Sequence, residues 1–151
     1  MDKGFAMTIR FLVVATILFT TVPSGASAPA NRYATSNGTV YDNKTRLTWQ
    51  QVLSSTTMTA SNAATYCAGL NAALPGSWRV PTLKELQALV DYSTSTSPMI
   101  DSTFFPGTPS ARFWSSSAEV NSSTYGWYVS FVDGTTSTAT NTTAYYVRCV
   151  R

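Results

Sequence analysis

Cys67 and Cys149 are the only cysteines in a chain of 151 residues, and they constrain its fold more than any other feature. In an oxidising compartment, an even pair far apart in sequence is most simply a disulfide. It would close a loop of about 83 residues, which the chain-entropy account values at roughly 4–5 kcal/mol. The alternative is a catalytic or redox thiol, but the sequence has no CxxC spacing and no His to activate a thiolate. The reading therefore depends on export.

Residues 1–26 predict export. Lys3 and Arg10 give a positive start, and Phe11 to Val22 form an uncharged apolar run. Ser24-Gly25-Ala26 and Ala26-Ser27-Ala28 place small residues where a signal peptidase cuts. A cut after Ala26 is favoured, because one after Ala28 would put Pro29 first. The alternative, an uncleaved anchor, is disfavoured: the run is about 12 residues long, and a spanning helix needs roughly 20. No later stretch is apolar enough to span, so the expected location is the periplasm or the extracellular space.

The mature chain keeps roughly 120–125 residues, the size of one domain. Its eight Lys and Arg exceed its six acids by two. Spread along the chain, they make no nucleic-acid stripe. Only 11% of the residues are charged, and Ser, Thr and Asn dominate, as in many exported surfaces. The N-x-S/T matches at Asn37, Asn43, Asn121 and Asn141 carry little weight in so Ser/Thr-rich a chain.

Residues 27–37 read as a short polar lead-in. Thr39 to Trp49 reads as a hairpin turning at Asp42-Asn43-Lys44. Ala60, Ala63, Ala64, Cys67 and Leu70 recur with helical spacing, capped by Thr57 or Thr59, with Cys67 facing the core. Thr82-Leu83-Lys84-Glu85 is a capping box opening a second helix, whose inward residues are Leu83, Leu86, Leu89 and Val90. Asp91 to Arg112 predicts a long loop anchored by Ile100, Phe104 and Phe105. Strands are expected at Phe113–Ser116, at Tyr125–Val132 before the Asp133-Gly134 turn, and at Ala144–Val150. The sum is an α+β domain.

Several runs carry a family resemblance: Gly38 to Asp42, Thr45-x-Leu47-x-Trp49, Trp78-Arg79-Val80-Pro81-Thr82-x-x-Glu85-Leu86, Phe113 to Ser116, and Tyr146 to Arg151. Taken in order, they resemble the Lcl C-terminal domain family over residues 38–151. The resemblance implies a C-type-lectin-like fold, with two helices packed on antiparallel hairpins and a disulfide from the first helix to the last strand, which would be Cys67–Cys149. It also implies attachment to sulfated glycosaminoglycans, as in the collagen-like adhesin that names the family. The collagen-like stalk is missing, so multivalent adhesion through it does not carry over. Arg46 stands where the family pattern leads one to expect Gly.

The absence of His argues against a Ser-His-Asp triad, a Cys-His pair and His-ligated zinc, and the expectation is a non-enzymatic protein without a cofactor. No carboxylate cluster suits calcium, and the sugar-binding motifs of calcium-dependent lectins are replaced by Ser97-Pro98-Met99, Thr108-Pro109-Ser110 and Trp114-Ser115-Ser116. No metal site is expected. Trp49, Trp78 and Trp114 read as core residues. Arg79 and Arg148 read as buried hydrogen-bond donors to loop backbone. That leaves Lys44, Arg46 and Arg112 as free cations, with Tyr125, Trp127 and Tyr128 as a candidate stacking surface. Trp127 and Tyr128 face opposite sides of a strand, so one of them should be exposed. The leading expectation is an exported binding module for a glycan or another envelope component. The alternative is a structural or protein-interaction domain of the bacterial envelope. Oligomeric state is not legible.

Overall fold

The computed structural model describes Met1 and residues 28–151, so the leader read at 1–26 lies, Met1 apart, outside the described residues. Two antiparallel three-stranded sheets flank the helical segment. The first holds β1 (Tyr33–Ser36), β2 (Thr39–Asp42) and β3 (Leu47–Gln50), and the second holds β4 (Arg112–Glu119), β5 (Ser122–Ser130) and β6 (Thr136–Thr140). Between them run α1 (Ala60–Gly69), a 3-10 turn (Leu70–Ala72) and α2 (Leu83–Gln87).

The helices start where the sequence says. The Thr59 hydroxyl accepts the Asn62 N–H and caps α1. Both halves of the Thr82/Glu85 capping box form at α2. Ala63 and Cys67 are the buried stripe of α1, which packs on β4, and α2 packs on β4 and β5. Cys67 is bonded to Cys149, so the helix is tied covalently to the end of the chain.

Three expectations are corrected. The polar lead-in of 27–37 contains β1, paired with β2 from Tyr33–Asp42 to Ser36–Thr39. Its one apolar contribution, Tyr33, is buried among Val40, Trp49 and Phe105, and one such ring per short edge strand leaves little periodicity to read. β6 was not anticipated because four of its five residues are Thr or Ser, Ala139 alone being apolar, and its strand partner is β5. Conversely, Ala144–Val150 is not a regular strand. It makes isolated bridges from Tyr145 to Met58, from Tyr146 to Phe113, and from Val150 to both Trp49 and Arg79. The terminal segment thus touches the helical region, the second sheet and the first sheet in turn, and no single partner strand sets its register.

Two clusters form the core. One gathers Trp49, Leu86, Phe105, Phe113 and Phe131, and the other gathers Ala63, Cys67, Trp78, Trp114 and Cys149. The long loop is pinned to the first cluster by Ile100 and Phe105, both buried, with Phe104 packed beside them.

Candidate functional site

The free cations fall on two separate elements. Lys44 and Arg46 sit on the turn between β2 and β3, and both are exposed. Asp42 builds that turn: fully buried, it accepts the N–H groups of Lys44 (2.9 Å) and Thr45 (3.4 Å) through Oδ1. Its Oδ2 is ion-paired with Arg32 at 3.2 Å. Arg46 closes the turn with φ of 61° and donates its N–H to the Asp42 carbonyl at 2.7 Å. The position where the family pattern wants Gly is therefore a left-handed one, which glycine adopts without cost.

Arg112 opens β4 in the other sheet and is exposed. Its guanidinium lies 5.4 Å from the Tyr128 ring centre and 5.9 Å from that of Tyr145. The alternation of side chains across paired strands explains this grouping: Arg112 is paired with Ser130 and Trp114 with Tyr128, so Arg112 and Tyr128 share a face. Tyr145 joins because the terminal segment runs along β4, with the Tyr146 N–H donating to the Arg112 carbonyl at 3.1 Å. The two tyrosine rings meet edge to face at 5.0 Å. Beside them is a cavity of about 360 Å³, lined by Thr57, Ser110, Arg112, Val132, Tyr145 and Tyr146 among others. Among the described residues the ion pairs are Arg32–Asp42 and Arg79–Glu85, so no carboxylate neutralises Arg112. Exposed cation–π contacts of this kind contribute about 0.5–1 kcal/mol and hold the guanidinium without consuming its donors.

The structure thus brings Arg112 and Tyr128 together, while Lys44 and Arg46 stand on the other sheet. Tyr125, 41% exposed, is the most open of the three β5 aromatics; Trp127 and Tyr128 are both half-buried, so neither of that pair is the exposed ring that alternation led one to expect. Tyr125 instead borders a groove of about 670 Å³ between α1 and the second sheet. Tyr145 was missed. Its signal was the Tyr145-Tyr146 pair, read as strand and not as surface.

The two arginines read as buried donors divide. Arg148 is fully buried and donates to the carbonyls of Gln50 (2.7 Å) and Gln51 (2.9 Å) and to the Thr108 hydroxyl (2.6 Å). Arg79 is not buried: its side chain is 47% exposed and makes paired hydrogen bonds to Glu85 at 2.8 and 2.7 Å. The capping carboxylate six residues on is the closer partner, while the one loop carbonyl the guanidinium reaches, that of Val80, accepts at 3.5 Å. Trp49, Trp78 and Trp114 are core residues, as expected.

Among the described residues no group of three or more His, Cys, Asp or Glu is placed to hold a metal ion, and no helix is long and apolar enough to cross a membrane.

Fold and site define an α+β module closed by a disulfide between its first helix and its terminal segment. Residues 38–151 match the Lcl C-terminal domain family, and the chain belongs to that family. β1 lies just ahead of the matched region. No curated protein matches the chain.

Proposed function

We propose that this chain is an exported, non-enzymatic binding module of C-type-lectin-like fold, and that its ligand is an anionic glycan of the envelope or its surroundings. The observation that carries this reading is the Arg112–Tyr128–Tyr145 cluster: an exposed, unneutralised guanidinium beside aromatic rings and a cavity. A sugar ring stacks on an aromatic face, and a guanidinium fork matches a sulfate or carboxylate. Family membership supports the same direction, since the adhesin that names the family attaches to sulfated glycosaminoglycans. Lys44 and Arg46 form a second, more exposed basic point that contributes long-range attraction. With a surplus of only two charges, that attraction is screened beyond about 8 Å at physiological salt.

The test is heparin-column retention of the processed protein at low and high salt, alongside Arg112→Gln and a Lys44→Gln/Arg46→Gln double variant. Salt-sensitive retention that falls most with Arg112→Gln is expected. A folded wild type that is not retained at low salt overturns the anionic-glycan reading. Equal retention of Arg112→Gln and wild type moves the site away from β4.

A further inference from the structure

The outer face of the first sheet carries a guanidinium of its own. Arg151 exchanges both backbone hydrogen bonds with Thr48, each at 2.9 Å, and Thr48 is the register partner of Tyr41. Residues directly opposite one another on paired strands share a face. Tyr41, Thr48 and Arg151 therefore form one row across β2, β3 and the terminal segment. The alternate residues Val40, Trp49 and Val150 are buried, which puts the row on the outside, where Tyr41 is 38% exposed.

The Arg151 guanidinium is held in place without being used up. It lies 5.1 Å from the Trp78 ring centre and donates to the Pro75 carbonyl. Gly76 leaves room for it, since a Cβ there would come within 2.7 Å of the Arg151 Cδ. Trp78 is fixed in turn by its indole N–H, which donates to the Leu74 carbonyl at 2.6 Å. Most of the guanidinium donors remain: among the described residues Pro75 supplies the one acceptor for this side chain, and no acidic side chain is paired with it. The row borders a cavity of about 550 Å³, whose lining also includes Asn37, Thr39 and Leu74. Among the described residues neither the Thr48 hydroxyl nor the Asn37 amide is bonded to protein.

We propose that this row is a second anion site, and that its ligand is an acidic saccharide unit, a hydroxylated ring bearing a carboxylate or a sulfate. The fork of Arg151 takes the anion, and the Tyr41 ring stacks on the sugar. The Thr48 hydroxyl and the Asn37 amide both donate and accept, as sugar hydroxyls do. Those neutral groups favour a saccharide over a bare anion, which needs donors alone. Only the ligand class rests on the anionic-glycan reading; the row stands apart from Arg112, which opens β4 in the other sheet. One domain then has two separate points of attachment and can tie two acidic glycans together as a monomer.

The test is an amide NMR titration of the isotope-labelled, folded protein with a sulfated heparin disaccharide and, separately, with glucuronic acid, which distinguishes sulfate from carboxylate recognition. Arg151→Gln, Tyr41→Thr and Arg112→Gln are titrated alongside. Two sets of shifts are expected, one around Tyr41, Thr48 and Arg151 and the other around Arg112 and Tyr128. Arg151→Gln should weaken the first set about tenfold, Tyr41→Thr should weaken it less, and Arg112→Gln should weaken only the second. Tyr41 lies on the outer face, so its variant reads the site even where Arg151→Gln disturbs the packing on Trp78. Shifts confined to the Arg112 set overturn the second site and leave the first. Shifts confined to the Arg151 row overturn the reading of Arg112 and leave this one. No shift at either place with either probe overturns both. Inorganic sulfate that binds the row as tightly as the disaccharide overturns the saccharide assignment.

Discussion

The Arg148 guanidinium lies 4.7 Å from the centre of the Phe105 ring, and both side chains are completely buried. Its donors fasten the end of β3, through Gln50 and Gln51, to the long loop, through Thr108. Desolvation lowers its pKa to about 9, which still leaves it a cation at neutral pH. Arg148→Met would leave two carbonyls and a hydroxyl without this donor. The expected loss is about 2–4 kcal/mol, measured by urea unfolding. Arg148→Lys should recover only part of it, because a single ammonium cannot span a fork of acceptors.

The Arg79–Glu85 pair predicts an acid limb in the stability curve. Hydrogen bonds from Arg79, aided by Thr82 and opposed by desolvation, bring the Glu85 carboxyl down to about 2. An acid whose pKa falls on folding stabilises the native state above its unfolded pKa, near 4.5, and that contribution disappears as pH drops toward 2. With Arg79 half-exposed, screening limits the effect to about 1–2 kcal/mol. Glu85→Gln should therefore flatten the fall in unfolding free energy between pH 5 and 2 by roughly that amount, read from urea unfolding at each pH. An unchanged acid limb would show that other carboxylates govern it.

Arg46→Gly should raise stability. A side chain in the left-handed region costs about 1–2 kcal/mol, and part of that gain returns as the greater unfolded-state freedom of glycine. A net increase of about 0.5–1 kcal/mol is expected in thermal melts, and a decrease would mean that the Arg46 side chain makes a compensating contact.

Replacing Cys67 by Ser, or Cys149 by Ser, should cost about 2–5 kcal/mol, read as a lower denaturant midpoint. Non-reducing mass spectrometry of the folded wild type should show no free thiol.

Much of the scaffold was legible because the signals were local. Thr82 and Glu85 announce a capping box within four residues, and Ala63 and Cys67 mark a stripe by their own spacing. The disulfide was legible because only two cysteines exist to pair. What escaped were features made by distant partners. Tyr33 is core only because β2 lies beside it, and Thr136–Thr140 is a strand only because β5 supplies its hydrogen bonds. At the candidate site, Arg112 and Tyr128 could be singled out from the sequence, but their meeting with Tyr145 depends on where the terminal segment crosses β4. Arg79 was misplaced for a similar reason: whether an arginine turns inward or pairs on the surface depends on which acceptor the fold brings near.

The bridges of Tyr145, Tyr146 and Val150 have a consequence for how the molecule comes into being. These residues leave the ribosome after every strand and helix they join, and Cys149 is made long after Cys67. Until they arrive, the Phe113 edge of β4 and the Trp49 edge of β3 lack these partners, and the thiol of α1 has nothing to oxidise against. The domain should therefore close late and all at once. A nascent chain arrested before Tyr145 should be protease-sensitive throughout, not half-folded.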